Sequence, residues 1–228
     1  MSLIIRTLVV GPLDVNCYIL WDKEEKEAVC IDPGGKGEEI LGFIREEGLR
    51  LRLIINTHGH FDHVGANGFL KDATGVTIAI HKEDARLLEV TPIQAMTFGI
   101  GTVPSPPADL LLTDGDTITF GKHQLKAIHT PGHTKGGICL LISDVGFWIL
   151  DFKSQISNLK SQILFTGDTL FAGAVGRSDL PGGSYSELMA SVKGRLFPLG
   201  DDVRVLPGHG PETSIGEERR GNTAISSQ

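Results

Sequence analysis

Cysteine is scarce in this chain of 228 residues, which has three: Cys17, Cys30 and Cys139. An odd number at wide spacing does not build a disulfide framework. Thiols inside apolar runs such as VNCYIL and AVCID read instead as small core residues of a reducing compartment. Basic residues are also in deficit, 21 Lys and Arg against 28 Asp and Glu, for a net charge of −7. Nucleic acid is therefore not an expected partner, because phosphate binding needs clustered cations. A small anionic substrate held by one or two local cations stays compatible with that balance. No apolar run approaches the length of a membrane span, so no membrane association is expected. The N-terminal MSLIIRTLVVGPLDVN is apolar but carries Arg6 and lacks both a basic start and a small-residue cleavage site, unlike a signal peptide. The expected location is the cytoplasm.

What is present is ordinary globular material, 40% apolar and 21% charged, enough to bury a core without crosslinks. LIIRTLVV, NCYILW, EAVCID, LRLIINT and VTIAI read as strands. GEEILGFIREEGL, HVGANGFLKDATG and KEDARLLEV read as helices between and after them. A second series follows: DTITF, HQLKAIHT, GICLLIS, ILFTGD and VRVLPGHG as strands, and SYSELMASVKGRLFPLG as a helix. Two sheets packed face to face with helices outside is the natural solution. No linker is long enough to divide the chain, so residues 1–228 are expected to form one domain. One stretch, about 144–162, breaks the rhythm with roughly twenty residues where a hairpin needs about two to five. It repeats KSQI and spaces Phe152, Ile156, Leu159 and Ile163 along one helical face. It is expected to be a surface insertion of biased composition.

The chemistry concentrates at strand ends. THGHFDH, Thr57–His63, follows LRLIIN and puts four metal-competent side chains, His58, His60, Asp62 and His63, within six residues. A core segment could not carry so many polar groups without leaving several unpaired. Three more elements follow apolar strands and end on a donor preceded by glycine: HTPGH at His133, FTGD at Asp168 and LPGH at His209. Glycine lets the backbone approach a cluster closely. Imidazole and carboxylate together suit Zn²⁺, with iron or manganese as alternatives. The other histidines read as structural: His81 as a cap between VTIAI and KEDARLLEV, His123 as an exposed turn residue, and His129 as a strand residue outside the cluster. Asp114-Gly115-Asp116 reads as a turn, since the rest of a Ca²⁺ loop is missing.

With HxHxDH, the His of HTPGH, the Asp of TGD and the His of PGH in place, the chain resembles the metallo-β-lactamase superfamily over nearly its whole length. The resemblance implies a four-layer αββα sandwich with two metals at one edge between the sheets. His58, His60, His133 and Asp168 would hold the first, and Asp62, His63, Asp168 and His209 the second. Within the superfamily GDTLF and HTPGHTKG are most similar to glyoxalase II, the hydroxyacylglutathione hydrolases. The C-terminal helical domain of the long type is absent, and the GRSD and GEERRGN segments resemble the short, single-domain members. They also resemble the persulfide dioxygenases, which use one iron. Arg177 occupies the place of a basic residue that contacts glutathione, so it would pair with a substrate carboxylate. True β-lactamase activity is less expected: one subclass has Cys where this chain has Asp168, another lacks the bridging Asp, and Cys139 lies on a strand.

The expected reaction is thioester hydrolysis, with a small-molecule thioester such as a glutathione conjugate as substrate. A hydroxide shared by two divalent metal ions would attack the carbonyl, oriented by Asp62 as the catalytic carboxylate. The alternatives are a persulfide dioxygenase-like iron enzyme and a non-catalytic metal module. Seven candidate ligands exceed the four of a closed structural site, which disfavours the last.

Overall fold

In a computed structural model, which describes residues 3–151, 154–155 and 160–226, the apolar runs of the first half form six strands. These are β1 (Leu3–Val10), β2 (Val15–Asp22), β3 (Glu27–Ile31), β4 (Arg50–Asn56), β5 (Thr77–His81) and β6 (Leu110–Leu112). β1 to β3 form an antiparallel meander, and β3 to β6 run parallel. Parallel neighbours need crossovers. Helix α1 (Gly37–Glu46) supplies the first; α2 (Phe61–Val64) and α3 (Asn67–Thr74) supply the second. A 3₁₀ run over Lys82–Val90 and α4 (Thr91–Met96) begin the third.

The second half is mainly antiparallel: β7 (Thr117–Phe120), β8 (His123–His129), β9 (Ile138–Asp151), β10 (Ser154–Gln155) and β11 (Lys160–Gly167). A small ribbon of β12 (Leu170–Phe171) and β13 (Ala174–Val175) follows. Helix α5 (Tyr185–Ser191) and a π-turn at Val192–Leu196 cross over to β14 (Arg204–Pro207), which lies parallel to β11. β15 (Thr213–Ser214), α6 (Ile215–Gly221) and α7 (Thr223–Ser226) complete the order.

Three apolar clusters define the layers. Leu3, Leu20, Ile31 and Ile55 of the first sheet meet Phe120, Leu125, Leu140 and Phe165 of the second in a central core. The outer face of the first sheet, with Ile19, Trp21, Cys30 and Ile54, packs under Ile40, Leu41 and Ile44 of α1 and Leu70 of α3. The outer face of the second, with Ile128, Cys139, Leu164 and Val205, packs under Val192, Leu196, Ile215 and Ile225. The architecture is the expected αββα sandwich. Coverage on both faces explains why β2 is buried at all eight positions rather than at alternate ones. Among the described residues no helix is long and apolar enough to cross a membrane.

Some elements depart from the sequence reading. Residues 144–151, read as part of a surface insertion, continue β9, and Phe147–Leu150 pair in parallel register with Leu3–Arg6 of β1. The FWIL run is rich in strand formers and satisfies the second edge of β1. Ile163, placed on a helical face, is a buried β11 residue. Phe152, Ile156 and Leu159 lie outside the described residues. The helix read over HVGANGFLKDATG divides into α2 and α3, and Gly65 between them lies against Gly34, where a Cβ would come within 2.4 Å of its carbonyl oxygen. KEDARLLEV is 3₁₀ rather than α, and the last long helix ends at Ser191 before the π-turn.

Candidate metal centre

The strands β4, β8, β11 and β14 all end at the same edge of the sandwich. Beyond their carboxyl ends stand Thr57–His63, His133, Asp168 and His209, where the chain leaves the sheets and its side chains can converge. The seven expected donors do converge. His58, His60 and His133 have donor atoms within 4.8 Å of one another, as do His58, His63 and Asp168, and Asp62, His63 and His209. Asp168 lies between the first and third groups. Its Oδ1 is 3.4 Å from His63 Nε2, and its Oδ2 is 3.7 Å from both His133 Nε2 and His209 Nε2. Asp62 Oδ2 lies 3.4 Å from His209 Nε2 and 3.7 Å from His63 Nε2.

Glycine makes that approach possible. A Cβ on Gly208 would stand 2.4 Å from Asp168 Oδ1 and 2.8 Å from His63 Cε1. Gly167, at φ +46°, would place one 2.3 Å from Thr57 Oγ1.

Most of the imidazoles are held by the nitrogen that points away from the cluster. Nδ1 of His63 is 3.0 Å from Asp32 Oδ2. Nδ1 of His133 is 2.7 Å from the Arg177 carbonyl oxygen, and that of His209 is 2.9 Å from the Leu13 carbonyl oxygen. Nδ1 of His58 is 3.1 Å from Thr57 Oγ1. His60 is turned the other way, with Nδ1 inward and 2.9 Å from His133 Nε2. Fixing one ring nitrogen sets which face of the ring is offered to a metal.

The residues fit a cation. Nε2 of His58, Nε2 of His63 and Oδ1 of Asp168 are buried without a hydrogen-bond partner, the last two being close but misaligned for a bond. An unsatisfied buried polar atom costs about 1–3 kcal/mol, and three of them facing one space mark a place for a positive ion. Protonation points the same way. Burial and the neighbouring imidazoles hold His58 well below its ordinary pKa and push His60 down to about 3. Burial would raise Asp168 and Asp62, but the adjacent imidazoles, His63 foremost, outweigh it and keep both carboxylates low. His63 is the exception: burial opposes its charge, yet Asp168, Asp62 and Asp32 surround it and raise it, so a cation bound there would take the place of its proton. Neutral imidazoles and ionised carboxylates are the forms that bind metal.

Two supporting carboxylates escaped the sequence reading. Asp32 accepts from Thr57 N at 2.7 Å and Thr57 Oγ1 at 2.6 Å besides facing His63. Its signal was available, a carboxylate at the end of the apolar run AVCI, in the same position as the other donors. Asp84 accepts from Gly59 N, Thr134 Oγ1 and Gly136 N, tying the HGH loop to the HTPGH loop. Nothing in KEDAR sets that residue apart.

The remaining histidines lie outside the cluster. His81 caps the 3₁₀ run through Nδ1, which accepts from Glu83 N at 3.3 Å. His129 stacks on it at 4.2 Å. His123 is buried, not exposed: it follows the tight Gly121-Lys122 turn, packs on Phe120 and lies 3.2 Å from Asp22 Oδ2. Arg177 lines the cavity above the donors, but its guanidinium fork is closed on Asp179, with two contacts of 2.8 Å.

Known proteins are similar to this one in sequence and fold. A family model for the metallo-beta-lactamase superfamily matches residues 10–147. Hydroxyacylglutathione hydrolase GloC of Haemophilus influenzae is 38% identical over 98% of this chain and 99% of its own. The crystal structure of BLEG-1 B3 metallo-beta-lactamase covers 97% of this chain and 99% of its own, at TM-score 0.84 and 32% identity. TTHA1623 in a di-iron-bound form covers 95% and 98%, at TM-score 0.78 and 34% identity. The chain belongs to the metallo-beta-lactamase superfamily.

Proposed function

We propose that this protein is a metal-dependent thioester hydrolase of the hydroxyacylglutathione hydrolase type, formed by the whole chain as one domain. His58, His60, His133 and Asp168 would hold one divalent cation; Asp62, His63, His209 and Asp168 would hold the other. The observation that carries the reading is the position of Asp168, whose two oxygens face donors from both groups at 3.4–3.7 Å. Two divalent cations held there would supply Lewis-acid polarisation of a carbonyl and would acidify a bound water to a pKa of about 7. Zinc suits the imidazole and carboxylate donors; the di-iron relative makes iron the second choice.

The chain's own residues do the rest. Asp62, kept ionised by His63, orients the attacking water by accepting its hydrogen bond. Among the described residues the cavity lining contains no Lys, Tyr or Cys to protonate a leaving group. A thiolate, with a thiol pKa of about 8.5, leaves without that help, whereas an amine does not. This favours thioester over amide cleavage. Pairing of Arg177 with a substrate carboxylate requires its contact with Asp179 to open. Cys17, Cys30 and Cys139 are free and buried, which agrees with a cytoplasmic location.

The test uses protein loaded separately with Zn²⁺ and Fe²⁺, offered S-lactoylglutathione, glutathione persulfide and a chromogenic cephalosporin. Loss of the thioester absorbance is expected. Oxygen uptake with the persulfide by the iron form, without thioester loss in either form, would replace the reading with the dioxygenase. Cephalosporin cleavage alone would replace it with the lactamase that BLEG-1 represents.

A further inference from the structure

The cavity over the donor cluster has a volume of about 460 Å³. The donors His60, Asp62, His133, Asp168 and His209 line it, and the rest of the lining is mostly hydrocarbon: Leu87, Val90, Ile93 and Phe98 from one segment, with Leu13 and Leu180 from others. The first segment is unusually apolar toward solvent. Five of the ten exposed large hydrophobic residues among those described, Val90, Ile93, Met96, Phe98 and Val103, fall within fourteen positions. Ile93 is 67% exposed and Phe98 43%. Of those five, Val90, Ile93 and Phe98 line the cavity beside the polar donors, and exposed apolar side chains at such a place mark where hydrocarbon is to be covered.

The segment is fastened to the metal loop. Gln94 Oε1 accepts from Phe61 N at 3.0 Å, and Gln94 Nε2 donates to the carbonyl oxygens of Leu87 at 3.4 Å and Gly59 at 3.5 Å. The Phe61 and Phe98 rings pack at 5.4 Å. The wall therefore keeps a fixed position relative to His58, His60 and Asp62. The same bonds use up the polar atoms of Gln94, so its amide has little left to offer a ligand. Outside the donor histidines, Arg177 is the one cationic residue among those described that lines the cavity, and Asp179 already holds its fork. A glutathionyl group brings carboxylates and an ammonium that this wall does not pair, whereas an aliphatic chain needs only the apolar surface.

We infer that the site selects its substrate by an apolar acyl group seated against Leu87, Ile93 and Phe98, and that the thiol carrier contributes little to recognition. The substrate class is a thioester of an aliphatic acid. Its reaction rests on the proposed function; its ligand chemistry rests on the wall.

The experiment compares S-hexanoyl-N-acetylcysteamine with S-lactoyl-N-acetylcysteamine, which share a neutral thiol. The hexanoyl ester is expected to have the higher kcat/KM, by at least about tenfold, in line with what buried methylenes contribute to specificity. Ile93→Thr and Phe98→Ser should each lower that ratio severalfold. In parallel, calorimetry measures binding of the non-cleavable S-hexyl and S-methyl thioethers of N-acetylcysteamine, with S-hexyl expected to bind more tightly by a similar factor. A ratio of one or below, or thioethers of equal affinity, overturns the inference. So does a ratio unmoved by both variants, including the case where they alter only self-association in sedimentation. If no thioester is cleaved but the S-hexyl thioether binds selectively and the variants weaken it, the hydrolase reading fails and the apolar ligand site stands.

Discussion

Asp32 Oδ2 lies 3.0 Å from His63 Nδ1 and 2.6 Å from Thr57 Oγ1, so one buried carboxylate orients a candidate ligand and anchors the loop that carries three more. Asp32 sits at φ +50°, in the left-handed region that costs energy for a residue with a side chain. The site holds it there through three bonds. Its anionic oxygen fixes the proton of His63 on Nδ1 and turns Nε2 toward Asp62 and Asp168.

Asp32→Asn keeps the size of the side chain and removes the charge that sets this tautomer. Metal affinity should fall by about 10–100-fold, the usual loss when a group behind a metal-binding histidine is replaced. Titration against a chromogenic chelator measures it. An unchanged affinity would show that the histidine is oriented by packing alone.

Asp168→Asn tests the bridge. An amide has one oxygen and no charge, so it cannot serve donors on both sides. Metal analysis should return at most one ion per chain where the wild type returns two, and turnover should fall by at least about a hundredfold if transition-state charge loses one of its cations. Full occupancy by both ions would exclude Asp168 as the bridge.

Most of this site was legible because its donors are chemically conspicuous. His58, His60, Asp62, His63, His133, Asp168 and His209 each follow an apolar strand, and strands of one sandwich end together. The five clustered histidines separated correctly from His81 and His129. His123 also stands outside the cluster, but its burial was hidden, because an exposed turn residue and a buried ring paired with Asp22 have the same local sequence and Asp22 is distant along the chain. Asp84 was invisible for the same reason, its three donors coming from residues 59, 134 and 136. Residues 144–151 were misread because their partner, β1, lies more than a hundred residues away.

A pH effect separate from the metal centre should arise at His81. Burial first, and the stacked His129 second, pull its pKa from 6.5 down to about 4. The folded state thus prefers the neutral ring, whose Nδ1 accepts from Glu83 N. This contribution is fully present above about pH 6.5 and is lost as pH falls toward 4, because the unfolded chain takes up the proton first; its size is on the order of 1–3 kcal/mol. His81→Asn keeps an N-cap acceptor that does not titrate. Urea unfolding with chelator present should show the wild type losing more stability than the variant between pH 7 and pH 4.5. Parallel losses would remove His81 from the account.

Gly208→Ala probes the spacing of the centre with a single methyl group. Its Cβ would lie 2.4 Å from Asp168 Oδ1, so either Asp168 or the Pro207–His209 turn must move. Asn16 and Tyr18 grip that turn, with Asn16 Nδ2 3.0 Å and Tyr18 Oη 2.7 Å from the Pro207 carbonyl oxygen, which directs the displacement onto Asp168. A shift of about 1 Å in a reacting group costs on the order of a hundredfold, so activity should drop to about one per cent. Gly194→Ala is the control: a Cβ there meets nothing within 4 Å. Both variants should melt as cooperatively as the wild type, which separates a displaced donor from a lost fold. Normal turnover in Gly208→Ala would mean that the donors are looser than their packing indicates.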